Sequence, residues 1–204
     1  MTIPALPLDF YRLALDNDQM ILALDSAESL VLETSIGQLS MPKSVQGSPS
    51  SEALHHFYQD ARAYDDERTK LTGVITNGGD TAAIRRLNQL NASYYEKCKA
   101  FAVDHASSPA ALTALGKLSM QQELGLFKQV RDSLRKTMPR SGFFTMFRDQ
   151  VDRAEQQEIA IKMQEEEMKR LSNLLPVGGD APEIVQQTPD GGTFALSKLR
   201  GKVV

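Results

Sequence analysis

The chain has one cysteine and three histidines among 204 residues. With Cys98 as the sole thiol, an internal disulfide framework and any cysteine-only zinc site are excluded. No apolar run approaches the ~20 residues needed to cross a bilayer, so no transmembrane segment is expected, and Met1-Thr2-Ile3-Pro4 lacks the basic and apolar regions of a signal peptide. Positive charge is not in surplus either: 23 Lys+Arg against 26 Asp+Glu leave a net charge of −3, which argues against a nucleic-acid partner. Ser/His/Asp spacing of a known type, a phosphate loop and a dinucleotide fingerprint are all missing. No catalytic, cofactor-binding or metal-binding residue is expected in this chain, and no cofactor.

What is present is the composition of a foldable protein. Hydrophobic residues make up 41% and charged residues 24%, and no block is biased enough toward polar residues to predict disorder. The first part carries strand signals. Phe10 to Leu15 is followed by the turn formers Asp16-Asn17-Asp18, then Met20 to Leu24, then Asp25-Ser26-Ala27-Glu28, then Leu30 to Glu33. Tyr11, Leu13 and Leu15 share one face, as do Met20, Leu22 and Leu24. The expectation is a three-stranded β-meander over residues 1–47, with Lys43-Ser44-Val45-Gln46 as a short fourth strand. So small a sheet has to lean on following helices or belong to a larger sheet.

After Gly47-Ser48-Pro49-Ser50 the hydrophobic period changes from two to about 3.6. Residues 48–175 are expected to be helical. The first helix is capped by Ser50 or Ser51, buries Leu54, Phe57, Tyr58, Ala61 and Leu71, and ends before Asn77-Gly78-Gly79. Asp80 or Thr81 caps a second, with Ile84, Leu87, Leu90, Tyr94, Cys98 and Phe101 at helical spacing. Ser107-Ser108-Pro109 opens a third that runs through Met120, a fourth starts near Glu123 and stops at Met138-Pro139, and the last runs from Ser141 to Leu174.

Each reactive-looking residue type has a structural reading beside its chemical one. Cys98, in Tyr94-Tyr95-Glu96-Lys97-Cys98-Lys99, packs as a small apolar residue, whereas Lys97 and Lys99 would activate an exposed thiol. His56 and Asp60 stand at i,i+4 and would supply two metal ligands, but no third is identifiable by spacing. His105 stands near a helix C-terminus, where its charge complements the dipole. Glu155, Glu158, Glu165, Glu166 and Glu167 on the last helix read as a solvated connector, with Glu165 paired to Lys169 and Glu166 to Arg170. Asn91-Ala92-Ser93 matches the glycosylation sequon but falls mid-helix.

The closing segment from Val177 to Val204 is different in kind. Gly179-Asp180-Ala181-Pro182-Glu183-Ile184-Val185 is followed by Asp190-Gly191-Gly192-Thr193-Phe194, then Leu196-Ser197-Lys198-Leu199-Arg200-Gly201-Lys202-Val203-Val204. Asp-Gly makes a tight hairpin turn, Gly201 lets the chain reverse, and Val203-Val204 begin a β-branched strand. The ordered series resembles the opening of the thioredoxin-like thiol-disulfide oxidoreductases of the TlpA/ResA type, grouped with the peroxiredoxins (AhpC/TSA). A looser resemblance, over Phe10-Tyr11-Arg12-Leu13-Ala14-Leu15-Asp16-Asn17, Val45-Gln46-Gly47-Ser48-Pro49-Ser50, Ser107-Ser108-Pro109-Ala110-Ala111-Leu112 and Met138-Pro139-Arg140-Ser141, is to the region preceding that domain in envelope proteins of Bacteroides-type bacteria.

The resemblance implies an α+β chain: a small, partial β-rich region (1–47), a mainly helical domain with a long connector helix (48–175), and the start of a thioredoxin-like domain (176–204), cut before its Cys-x-x-Cys. In that family the strand at Val203 leads within about a dozen residues to the redox pair at a helix N-terminus. The fragment is then a non-catalytic accessory region of a parent in the periplasm or cell envelope that exchanges disulfides with protein thiols, and a homodimer is one arrangement it would allow. Two alternatives stand beside this reading: a stand-alone helical protein-interaction module, and the accessory region of a peroxiredoxin-type parent with a lone peroxidatic cysteine.

Overall fold

The computed structural model describes residues 7–26, 28–76, 78, 81–174, 182–199 and 201. The protein is α+β and mainly helical, and it divides into two compact units, Met1–Glu155 and Gln156–Val204. No helix among the described residues is long and apolar enough to cross a membrane.

In the first unit β1 (Asp9–Leu15) and β2 (Asp18–Leu24) form an antiparallel hairpin with Phe10 opposite Ala23 and Leu13 opposite Met20. Asp16 in the turn takes a positive φ of 53°, which Asp tolerates better than most residues. β3 (Val31–Glu33) does not continue this sheet as a meander. It pairs instead with β4 (Ser44–Gln46), giving two separate two-stranded ladders. The edge that a third strand would need is already occupied. Ala23 donates its N–H to Ser51 Oγ (3.1 Å), and its carbonyl accepts from Ser51 Oγ (2.8 Å) and Ser48 Oγ (3.0 Å). Two helix-terminal hydroxyls thus satisfy a buried backbone unit that would otherwise be orphaned.

This arrangement moves the start of α1 (Pro49–Thr76) ahead of the expected cap. Ser48 is the capping residue: its Oγ accepts the Ser51 N–H at 3.3 Å, its carbonyl accepts the Glu52 N–H at 2.8 Å, and Pro49 fills the first helical position. Glu52 reaches back to the Gly47 N–H at 2.6 Å, a relative of the capping box. The Ser51 side chain is thereby left for the hairpin.

α2 (Thr81–Asp104), α3 (Ala110–Leu115), α4 (Leu124–Thr137) and α5 (Gly142–Leu174) follow. Their core holds Phe57, Cys98, Ala102, Leu115, Phe127, Val130, Leu134, Met138, Phe144 and Val151. A smaller cluster seats the hairpin, with Ala23 and Phe10 against Ala53, Leu54 and Ala110. The hairpin therefore buries side chains from both faces at its open end, and Leu15 at its tip stays exposed. Tyr58 and Ile84, expected inside, are exposed, and α1 meets α2 through a stacked pair, Tyr64 on Tyr94, with ring centroids 3.9 Å apart. α3 stops at Leu115 rather than Met120. Lys117 and Leu118 donate to Ala114 and Leu115 in tighter i→i−3 bonds that end the helix.

Arg131, buried on α4, donates to Asp152 (2.6 Å) and Glu155 (2.7 Å) on α5 and to Asp132 (3.0 Å), and Lys128 adds a second contact to Glu155 at 3.0 Å. The hydrogen bond from Arg131, then that from Lys128, holds the Glu155 carboxyl below the usual range. A folded-state value below the unfolded one stabilises the protein fully above the ordinary Glu value of 4.5, and that stabilisation is lost as pH falls through the folded value. The urea midpoint is therefore expected to fall between pH 6 and pH 3, and Glu155→Gln to lower it at pH 6 while flattening its pH dependence. An unchanged slope in E155Q would show that this cluster does not set acid stability.

In the second unit the rest of α5 carries ion pairs between Lys162 and Glu158 (2.7 Å) and between Arg170 and Glu167 (3.5 Å). Arg170 thus pairs at i,i+3 with Glu167, not at i,i+4 with Glu166 as the sequence pattern suggested. β5 (Val185–Gln187) and β6 (Thr193–Ala195) form an antiparallel hairpin whose turn holds Gly191 at φ 82°. A 3-10 turn follows at Leu196–Leu199, anchored by the Ser197 N–H on Glu183 Oε1 at 3.1 Å. Gly179-Asp180-Ala181 and the expected strand at Val203-Val204 lie outside the described residues.

Candidate functional site

Helical spacing on α1 puts Ser51, His55, Tyr58, Gln59 and Arg62 on one face, and that face looks onto β2. Ser51 ties the base of this face to Ala23. Above it, Met20 and Ile21 of β2 and the Ser40-Met41-Pro42 loop complete a groove of about 440 Å³, within the range of small-molecule sites. Asp18, at the start of β2, holds the loop in place. Its carboxylate accepts the N–H groups of Leu39 and Ser40, the latter at 3.1 Å, together with that of Gln19 at 2.9 Å. Burial opposes ionisation of Asp18, but the bonds from Leu39 and Ser40 outweigh it and hold the carboxyl below its usual range.

The groove has an apolar side from β2 and the loop and a more polar side along α1. Met20, Ile21, Met41 and Pro42 supply the apolar side. On the α1 side His55 Nε2 and Gln59 Nε2 are 3.0 Å apart. Burial, and then the neighbouring His56, lowers the His55 pKa below its ordinary 6.5, so the ring is neutral at pH 7. Arg62 contacts the Met41 sulfur through Nη1 and makes no ion pair among the described residues. The α1 side thus carries one guanidinium with no carboxylate paired to it among the described residues.

A second concavity of about 500 Å³ lies among Phe10, Leu118, Met120, Phe127, Phe143 and Met146. Phe143 and Met146 are exposed there, and no charged side chain lines it. It offers area without a directional contact.

The residues singled out from sequence fall elsewhere. Cys98 is buried at 1% exposure. Burial pushes its thiol pKa up, outweighing the Tyr94 hydroxyl and Lys117, which act the other way. Of its flanking lysines, Lys99 is drawn to Glu123 at 3.0 Å. His105 packs on Phe101 with ring centroids 4.3 Å apart. His56 and Asp60 are exposed on α1, and the described residues contain no group of three metal-ligating side chains. Glu155 belongs to the Arg131 cluster rather than to a solvated face. Sequence reasoning passed over Met20, Met41 and Arg62. The legible signal was the polar and aromatic series at i, i+4, i+7, i+8 and i+11 from Ser51; what it faced was not legible. No family model, no curated protein and no solved structure matches this chain, so the geometry and the sequence resemblance are what a functional reading can rest on.

Proposed function

We propose that this chain is a non-catalytic accessory region of a thioredoxin-like thiol-disulfide oxidoreductase of the cell envelope. The observation that carries the reading is the ordered series from Pro182 to Gly201. Its Asp190-Gly191 pair forms the turn of the β5–β6 hairpin, its Leu196–Leu199 stretch makes one 3-10 turn, and Gly201 sits at φ 81° where the family's chain reverses. The parent reaction is thiol-disulfide exchange: a thiolate attacks a disulfide sulfur of the substrate protein, expels the other sulfur as thiolate, and the resulting mixed disulfide is resolved by a second thiol. Cys98 takes no part, since a buried thiol with a raised pKa is a poor nucleophile. The helical region would then present or restrict protein substrates, or bring two copies of the parent together.

Reading the coding sequence after Val204 tests the proposal directly. A Cys-x-x-Cys within about twenty residues is expected; a lone cysteine would transfer the reading to a peroxiredoxin-type parent, and no cysteine would end it. For the present chain, no catalysis of insulin reduction by dithiothreitol is expected, and native Cys98 should react with Ellman's reagent only on unfolding. Fast reaction in the native protein, abolished by Cys98→Ser, would overturn the inert role given to this thiol.

The exposed apolar residues of α5 favour a second reading. Ile159, Ile161, Met163 and Met168 are each more than half exposed. A solvated helix with that many apolar side chains suits a stand-alone interaction module.

A further inference from the structure

The groove between α1 and β2 combines three properties that rarely coincide by accident on one small surface. Its walls are flexible and apolar, with two methionines, Met20 and Met41, facing the same space. Methionine adapts its shape to an irregular or elongated apolar guest. Its α1 side carries a guanidinium, Arg62, with no acid partner among the described residues. The other arginine of this helix, Arg68, reaches Asp65 at 3.2 Å. Finally, no carboxylate is among the residues lining the groove, and Asp18, next to Gln19, is turned toward the N–H groups of Leu39 and Ser40, so it holds the loop instead of competing for Arg62.

We propose that this groove binds a small amphipathic carboxylate, an alkyl or aryl acid whose apolar body lies between Met20, Ile21, Met41 and Pro42 and whose carboxylate pairs with Arg62. The planar, forked guanidinium matches a carboxylate in two parallel hydrogen bonds. A phosphate dianion would call for further cations, and the groove lining holds no lysine and no second arginine. The His55 ring and the Gln59 amide add hydrogen-bonding capacity on the same α1 side. This inference is independent of the redox reading, since it concerns only the first unit.

The test uses the full chain with ε-¹³CH₃-labelled methionine, titrated with decanoate, with decanamide as its neutral isostere, and followed by NMR and calorimetry. Decanoate is expected to shift the Met20 and Met41 methyl signals and leave that of Met146, in the second concavity, unmoved. Decanamide should bind about tenfold more weakly or worse, because a charge-assisted pair is roughly twice as strong as a neutral one. Arg62→Gln, an exposed substitution that should not disturb folding, is expected to weaken decanoate to the level of decanamide and to leave decanamide unchanged. Equal affinity for the acid and the amide would overturn the proposal, as would R62Q binding decanoate as well as the parent chain does. Shifts centred on Met146, or no binding at millimolar decanoate, would equally reject it. Tighter binding of an apolar peptide with an amidated C-terminus than of decanoate would show the groove to be a peptide site and end the carboxylate assignment.

Discussion

Phe144→Ala is expected to destabilise the first unit by about 3–5 kcal/mol, a large share of the stability of an ordinary domain. The ring is 2% exposed and belongs to the core cluster with Leu134, Met138 and Val151, where α4 and α5 pack. Truncation leaves a cavity in this cluster, and α5 is held to α4 further along by the Arg131 contacts to Asp152 and Glu155. For a unit of this size the thermal midpoint should drop by roughly 10 °C or more. The neighbouring Phe143→Ala is the internal control. Phe143 is 51% exposed and meets Phe10 edge-to-face at 5.4 Å, so its loss should cost no more than about 1 kcal/mol. Calorimetry or urea unfolding of the two variants decides the matter, and similar losses in both would show that the α4–α5 contact is not the core of the unit.

Gly47→Ala is expected to produce the second large effect, through the backbone rather than the core. Gly47 joins β4 to the Ser48 cap at φ 87°, and a Cβ placed there would lie 1.9 Å from the Ser29 carbonyl oxygen. The left-handed conformation alone costs a non-glycine residue about 1–2 kcal/mol. The clash adds to this because its partner is backbone and cannot rotate away. Relief requires the chain before β3 to move or Ser48 to shift, and a shifted Ser48 weakens both the helix cap and the bond to Ala23. Gly37→Ala separates the two contributions: Gly37 has φ 73° but open space around its Cβ position, so only the conformational cost applies. The G47A loss should be at least about twice that of G37A, with the excess visible as reduced amide protection in β2 and at the start of α1. Equal losses would mean that the close approach to Ser29 is not a constraint on the fold.

Much of this architecture is written in local chemistry. The change of hydrophobic period after residue 47, the Met138-Pro139 stop and the long run from residue 141 locate helices within a residue or two of where they form, because caps and proline act on neighbouring backbone groups alone. The β1–β2 hairpin is legible for the same reason, since Asp16-Asn17 sets a two-residue turn between alternating strands. The partner of β3 is not legible. A strand records which of its faces is apolar, not which edge it will meet, and here the edge of β2 was taken by the hydroxyls of Ser48 and Ser51, residues 25 and 28 positions away in the chain.

The same distinction separates the inert residues from the candidate site. Local sequence was enough to mark Cys98 as a helical, small apolar side chain, because helical spacing and an apolar neighbourhood are read from adjacent residues. It could not mark Arg62. An arginine on an amphipathic helix is ordinary; it becomes a candidate ligand only when β2 and the loop held by Asp18 set Met20 and Met41 opposite it and no acid arrives to neutralise it. Short-range interactions thus determined where most of the helices and the β1–β2 hairpin form, whereas the strand pairing, the use of Ser48 and Ser51 at the start of α1, the buried Arg131 cluster and the groove were decided by contacts between residues far apart in the chain, which only tertiary packing brings together.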